Sequence, residues 1–149
     1  MSAFTIHFDA ACPPRRPLGI GVVAFDNDEP DEPIAEWSYQ ERVGTSNEGE
    51  YLALIAAINL ALLLQADHAD FRGDSLLIVE QTLGHYTVRK ETLRPYWEQA
   101  QRLLGFLPSW TLAHVPRARN SYADKLSKAC ATAANRRWID ARYWTSEGV

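Results

Sequence analysis

Cysteine is almost missing from this sequence, and that scarcity excludes several classes of protein. The two present, Cys12 and Cys130, are too few for a disulfide framework and too far apart for a CxxC metal pair. Unpaired thiols fit a reducing setting, so a cytoplasmic location is the default expectation. Long apolar runs are missing too. The longest, residues 52–64, is interrupted by Asn59 and is too short to span a bilayer, so no membrane partner is expected. No basic stretch precedes an apolar segment near Met1, so no signal peptide is expected. There is no phosphate-cradling GxxxxGK[ST] loop, no dinucleotide fingerprint and no Ser-His-Asp order that stands out. Repeats, low-complexity tracts and linkers are also lacking. The 149 residues are therefore expected to form one α/β domain, with its core over about residues 4–134 and a tail at 139–149.

What is present is a soluble, globular composition, with 46% hydrophobic and 23% charged residues. The net charge of −4 argues at first against a polyanionic partner, but the charges are unevenly placed. Residues 1–84 carry 14 acidic and four basic side chains, a net of −10. Residues 85–144 carry 11 basic and four acidic ones, a net of +7. A basic surface beside an acidic centre would let a polyanion dock on the first while cations fill the second.

Residues 3–9 alternate, with Phe4, Ile6 and Phe8 on one face and Thr5, His7 and Asp9 on the other, which predicts a strand. Pro13, Pro14 and Pro17 force a loop, and residues 19–25 read as a second strand. An acidic, proline-bearing turn is expected from Asp26 to Pro33, followed by a third strand over 34–43. Thr45 and Glu48 have capping-box spacing, predicting a helix to about Gln65. A strand over 68–73, helices over 75–83 and 92–104, and a strand over 109–115 follow. Asn120 or Ser121 caps a last helix expected to reach Trp138, with an apolar stripe of Leu126, Ala129, Cys130 and Ala133. The order predicts a mixed sheet, three antiparallel strands first, flanked by helices.

Four carboxylates stand in unusual places. Asp9 ends an apolar strand, where a turn-forming role is the plain alternative. Glu50 heads the helix face that carries Leu54, Ala57 and Ile58, so it points at the core, where a carboxylate is costly unless paired or metal-bound. Asp74 sits at a strand-to-helix turn and could be an N-cap. Asp124 follows Ser121 by three and could close a capping box. In a sheet fold such element ends can converge. Carboxylates that cannot neutralise one another need cations, and hard oxygen ligands suit Mg²⁺ or Mn²⁺. Two such ions about 4 Å apart serve in-line phosphodiester displacement.

Four stretches resemble ribonuclease H of type 1, in its compact branch without a basic handle helix. They are Phe8-Asp9-Ala10-Ala11, residues 44–54 (Gly-Thr-Ser-Asn-Glu-Gly-Glu-Tyr-Leu-Ala-Leu), Arg72-Gly73-Asp74-Ser75, and residues 114–124, from His114 to Asp124. The resemblance spans about residues 4–134 and implies a five-stranded mixed sheet flanked by helices. It implies cleavage of the RNA strand of an RNA–DNA hybrid by a monomeric endonuclease with two Mg²⁺ or Mn²⁺ ions, leaving 5′-phosphate and 3′-hydroxyl ends. Asp9 would bridge both ions. Asp124 would hold the ion that activates water, and Glu50 and Asp74 the ion beside the leaving oxygen. Glu50 would also approach the ribose 2′-hydroxyl. His114 matches a histidine associated with proton movement or product release. Thr45, Ser46 and Asn47 match substrate-side positions, and Ser75, Arg15, Arg16, Arg117 and Asn120 are assigned to substrate with them. Ser46 and Leu76 stand where many members have Asn and Gln, Ala10 where Gly is usual. The loop at residues 13–17 replaces a Gly-Asn-Pro-Gly loop with prolines and two arginines. Arg89, Lys90, Arg94 and Arg119 are further candidates for phosphate contacts. The alternatives are a non-catalytic hybrid-binding module, a range broadened to double-stranded RNA, and another nuclease of the same superfold.

Overall fold

A computed structural model describes residues 1–42, 44–130 and 135–143. Its first three strands form a meander: β1 (Ala3–Ala11), β2 (Gly19–Asp26) and β3 (Glu29–Gln40) pair antiparallel in sequence. Helix α1 (Ser46–Leu63) then crosses to β4 (His68–Gly73), which lies parallel beside β1. Helices α2 (Leu76–Thr82) and α3 (Arg94–Leu104) lead to β5 (Trp110–His114), parallel to β4. A 3₁₀ turn (Arg117–Arg119), α4 (Ser121–Ala129) and β6 (Arg136–Ile139) complete the described chain. The sheet order is β5-β4-β1-β2-β3-β6.

The expected α/β fold and mixed sheet are present, with six strands rather than five. The last helix expected to reach Trp138 ends at Ala129, and residues 136–139 instead pair antiparallel with β3. Pairing covers an edge that β3 would otherwise expose, and this outweighs any local preference in Arg136 and Arg137. Arg137 lies over the rings of Tyr39 and Trp37, at 4.1 and 5.6 Å from their centroids. The expected turn from Asp26 to Pro33 shrinks to Asn27 and Asp28, because β3 begins at Glu29. Pro30 and Pro33 are tolerated because β6 meets β3 only from Ala35 to Ser38, so no partner there needs their missing N–H groups.

Apolar residues of α1 are buried around most of its circumference, and it packs on β1 and β2 with α3 behind it. Its capping box is formed as expected: Thr45 accepts from the Glu48 N–H, and the Glu48 carboxylate accepts from the Thr45 N–H. Helix α4 covers β2 on the opposite side, and β2 is buried from Gly19 to Ala24. The buried residues of α4 and its C-cap are Ala123, Ser127 and Cys130; of the stripe expected, Cys130 is buried, Leu126 half-buried and Ala129 exposed, and Ala133 lies outside the described residues. The cause is in β2. A Cβ on Gly19 would collide with the Ser127 carbonyl, and one on Gly21 with the Ala123 carbonyl. Two glycines thus let the α4 backbone sit directly on the strand, and only small residues fit between. Among the described residues no helix is long and apolar enough to cross a membrane.

Candidate active site

Strand register brings the first two carboxylates together. His7 pairs with Arg72 in the parallel ladder of β1 and β4. Two residues further along each strand are Asp9 and Asp74, so both leave the same end of the sheet side by side. Gly21 pairs with Asp9 on the other side, and α4 crosses Gly21 at Ala123, the residue before Asp124. Glu50 enters from the second turn of α1 and accepts the Ala10 N–H at 3.2 Å; Asp9 shares that donor at 2.9 Å.

Oxygens of Asp9, Glu50 and Asp74 all lie within 4.8 Å of one another. Asp9 and Glu50 are buried, at 5% and 7% exposure, and Glu50 Oε2 has no hydrogen-bond partner among the described residues. Burial, then the Asp74 charge, pushes Asp9 above the usual carboxylate range; hydrogen-bonding by Asp124 adds to the rise. Burial, then the Asp9 charge, pushes Glu50 higher still. Asp124 stands at the rim of this trio, paired with Lys128 at 3.0 Å, one helical turn on. Ser127, not Ser121, bonds near it: the Ser127 hydroxyl donates to the Asp124 carbonyl, and no capping box forms with Ser121.

Asp74 does not cap α2. That role falls to Ser75, whose hydroxyl accepts from the Ile78 N–H, leaving the Asp74 carboxylate free for the site. Asn120 is 1% exposed and points inward rather than toward the substrate face. Its amide donates to Phe8 O at 2.9 Å and to Asp74 Oδ2 at 3.1 Å, and its oxygen lies 3.2 Å from His7 Nδ1. Burial, opposed by that Asn120 bond, lowers the His7 pKa from its ordinary value, and the nearby Arg72 charge lowers it further.

The remaining expected residues are not part of the carboxylate cluster. His114 is exposed at the end of β5, opposite Gly73. Thr45 spends its hydroxyl on the α1 cap, and Ser46 is exposed beside it. Asn47 lines a cleft of about 220 Å³ with Leu77, Arg89 and Lys90. Arg15 and Arg16 are exposed in the β1–β2 loop, where Arg15 adopts a left-handed φ of 59°. Arg117 is exposed on the 3₁₀ turn, and Leu76 is 47% exposed at the start of α2.

Two residues in this region were missed in the sequence. Lys128 could have been found from its i, i+4 spacing to Asp124. His7 shares the strand face of Asp9, but nothing local ties it to a residue 113 positions away.

A family model described as "Reverse transcriptase-like" matches residues 7–130. The ribonuclease HI of Halobacterium salinarum is 40% identical over 83 residues, 56% of this chain and 42% of that protein. A crystal structure of a type 1 ribonuclease H from the same archaeon superposes with a TM-score of 0.82 at 32% identity, covering 87% of this chain and 97% of that one. A bifunctional protein of Mycobacterium tuberculosis is 36% identical over 118 residues, 79% of this chain and 32% of that protein. The structure of its N-terminal ribonuclease H domain gives a TM-score of 0.80 at 33% identity, covering 87% of this chain and 94% of that one. A type 1 ribonuclease H in complex with an RNA/DNA hybrid gives 0.74 at 30% identity, covering 84% and 94%. The matched stretch thus spans less than half the length of each of the two curated relatives.

Proposed function

The chain belongs to the type 1 ribonuclease H family, and from that membership we propose that it hydrolyses the RNA strand of RNA–DNA hybrids internally, leaving 5′-phosphate and 3′-hydroxyl ends. The observation that carries this reading is the meeting of Asp9, Glu50 and Asp74 within 4.8 Å, with one Glu50 oxygen buried and unpartnered. Three carboxylates whose oxygens lie within 4.8 Å of one another suit a hard divalent cation. Mg²⁺ or Mn²⁺ fits, held by Asp9, Glu50 and Asp74. A second ion would be held by Asp9 and Asp124. When bound, such cations supply positive charge against the charge that develops on the phosphate.

The chain's own groups do the rest. Burial removes water from Asp9 and Glu50, so their affinity for a cation is undiluted by hydration. Asn120 orients Asp74, and Lys128 holds Asp124 at the rim. His114, exposed opposite Gly73, is the residue that the family resemblance proposes for proton movement or product release. Thr45, Ser46, Asn47, Arg15, Arg16 and Arg117 are the proposed contacts to the hybrid, and Ser75 contributes through its cap of α2. A monomer in a reducing cytoplasm fits two free thiols.

The test is cleavage of matched end-labelled RNA–DNA, RNA–RNA and DNA–DNA duplexes with Mg²⁺, Mn²⁺ or chelator. Metal-dependent internal cuts confined to the hybrid's RNA are expected. Cuts in RNA–RNA would widen the substrate class, and binding without cleavage would overturn the enzymatic reading.

A further inference from the structure

Asn120 is the N-cap residue of α4, yet its side chain makes no capping bond. An N-cap Asn that does not accept from its own helix gives up about 1 kcal/mol. The side chain turns instead into the sheet, where it is buried among three groups. Two of them, Phe8 O and Asp74 Oδ2, are acceptors, so both must face the amide NH₂. This leaves the amide oxygen facing His7 Nδ1 at 3.2 Å, and only a proton on Nδ1 satisfies it. His7 is itself fixed: it sits on β1 in register with Arg72, and its ring meets the Phe25 ring edge-on at 6.3 Å. Phe25 in turn meets Tyr122 of α4 at 6.1 Å.

We infer that His7 is a positioning residue of the carboxylate site, acting through the Asn120 amide to hold Asp74 facing Asp9 and Glu50. The inference rests on the reading of that site as a cation site. A chain of two hydrogen bonds runs from a rigid strand residue to a carboxylate that no helix cap constrains. Without the His7 donor, the Asn120 oxygen is buried and unpaired, and the amide relaxes away from Asp74 to find another donor. The cation then meets a carboxylate that must first be ordered. Outer partners of metal ligands commonly govern affinity to this degree.

The experiment is calorimetric titration of the free protein with Mn²⁺, comparing the native sequence with His7→Phe and His7→Asn. His7→Phe should weaken binding about tenfold, and His7→Asn, which keeps an N–H donor near the Nδ1 position, should recover most of it. In hybrid cleavage, His7→Phe should lower kcat and leave KM unchanged. Unaltered Mn²⁺ affinity in His7→Phe, or equal weakening in both variants, would overturn the inference while leaving the site reading intact. Absence of Mn²⁺ binding by the native protein would overturn both. A measurement without substitution stands behind these. Nitrogen-15 spectra of the His7 imidazole should show the proton on Nδ1; a proton on Nε2 alone would overturn the inference even if His7→Phe does not fold.

Discussion

Glu50 illustrates how one side chain can be costly to the fold and central to the proposed chemistry. Its carboxylate is buried beside two others, with one oxygen unpaired. Glu50→Gln replaces a carboxyl that burial and the Asp9 charge force to take up a proton on folding with an amide that needs none and can donate to Asp9. The cation-free protein should gain about 1–3 kcal/mol, read as a higher urea midpoint, while Mn²⁺ affinity falls. Asp9→Asn should keep the fold and lower hybrid cleavage at least about a thousandfold, because several kcal/mol of charge stabilisation at the phosphate goes with it. Retained cleavage in Asp9→Asn would remove the assignment of the site. Glu50 was legible in the sequence because it heads a core-facing stripe; Asp9, Asp74 and Asp124 each admitted a plain turn or capping role and stood out only as a set within the motifs that resemble the family's. His7 and Asn120 were not legible, since each looks ordinary in its own segment and only the folded sheet joins them.

At the level of elements, the placement of Asp124 depends on β2 more than on α4. Gly19 and Gly21 let the helix backbone rest on the strand. Gly21→Ala should drive its new methyl against the Ala123 carbonyl and Ser127 N–H, costing about 1–3 kcal/mol of stability. Because the helix must lift at the residue before Asp124, kcat should fall more than tenfold, beyond what the lost stability explains. Equal kcat in the folded fraction would show that Asp124 is placed by something other than this contact. The α4 face was misread for the same reason: a search for large apolar residues finds Leu126, whereas the strand beneath admits only Ala123 and Ser127. Strand β6 was illegible because its pairing partner lies 100 residues earlier, between Ala35↔Ile139 and Ser38↔Arg136. By contrast, the first three strands and α1 were legible, since alternation and the Thr45–Glu48 box are local signals.

For the molecule as a whole, the carboxylate site couples stability to pH and cation together. Asp9 and Glu50 are raised in the folded state, so the native protein binds more protons than the unfolded chain above about pH 4, and its stability falls as pH rises through that window. Asp26 acts oppositely: the Tyr143 hydroxyl holds its pKa down, so its contribution is lost as pH falls toward the lowered value. The cation-free Tm should therefore peak at mildly acidic pH. Added Mg²⁺ should raise Tm more at about pH 8 than at about pH 5, because the cation favours the ionised carboxylates. A Tm increment independent of pH would contradict this. The order of elements also has a consequence in time. Asp9 is made early, yet its neighbour strand β4 comes only after α1, and α4 brings Asp124 last of all. Long-range pairings of this kind form slowly and late. During synthesis the growing chain therefore cannot assemble the full set of four carboxylates until residue 124 has left the ribosome.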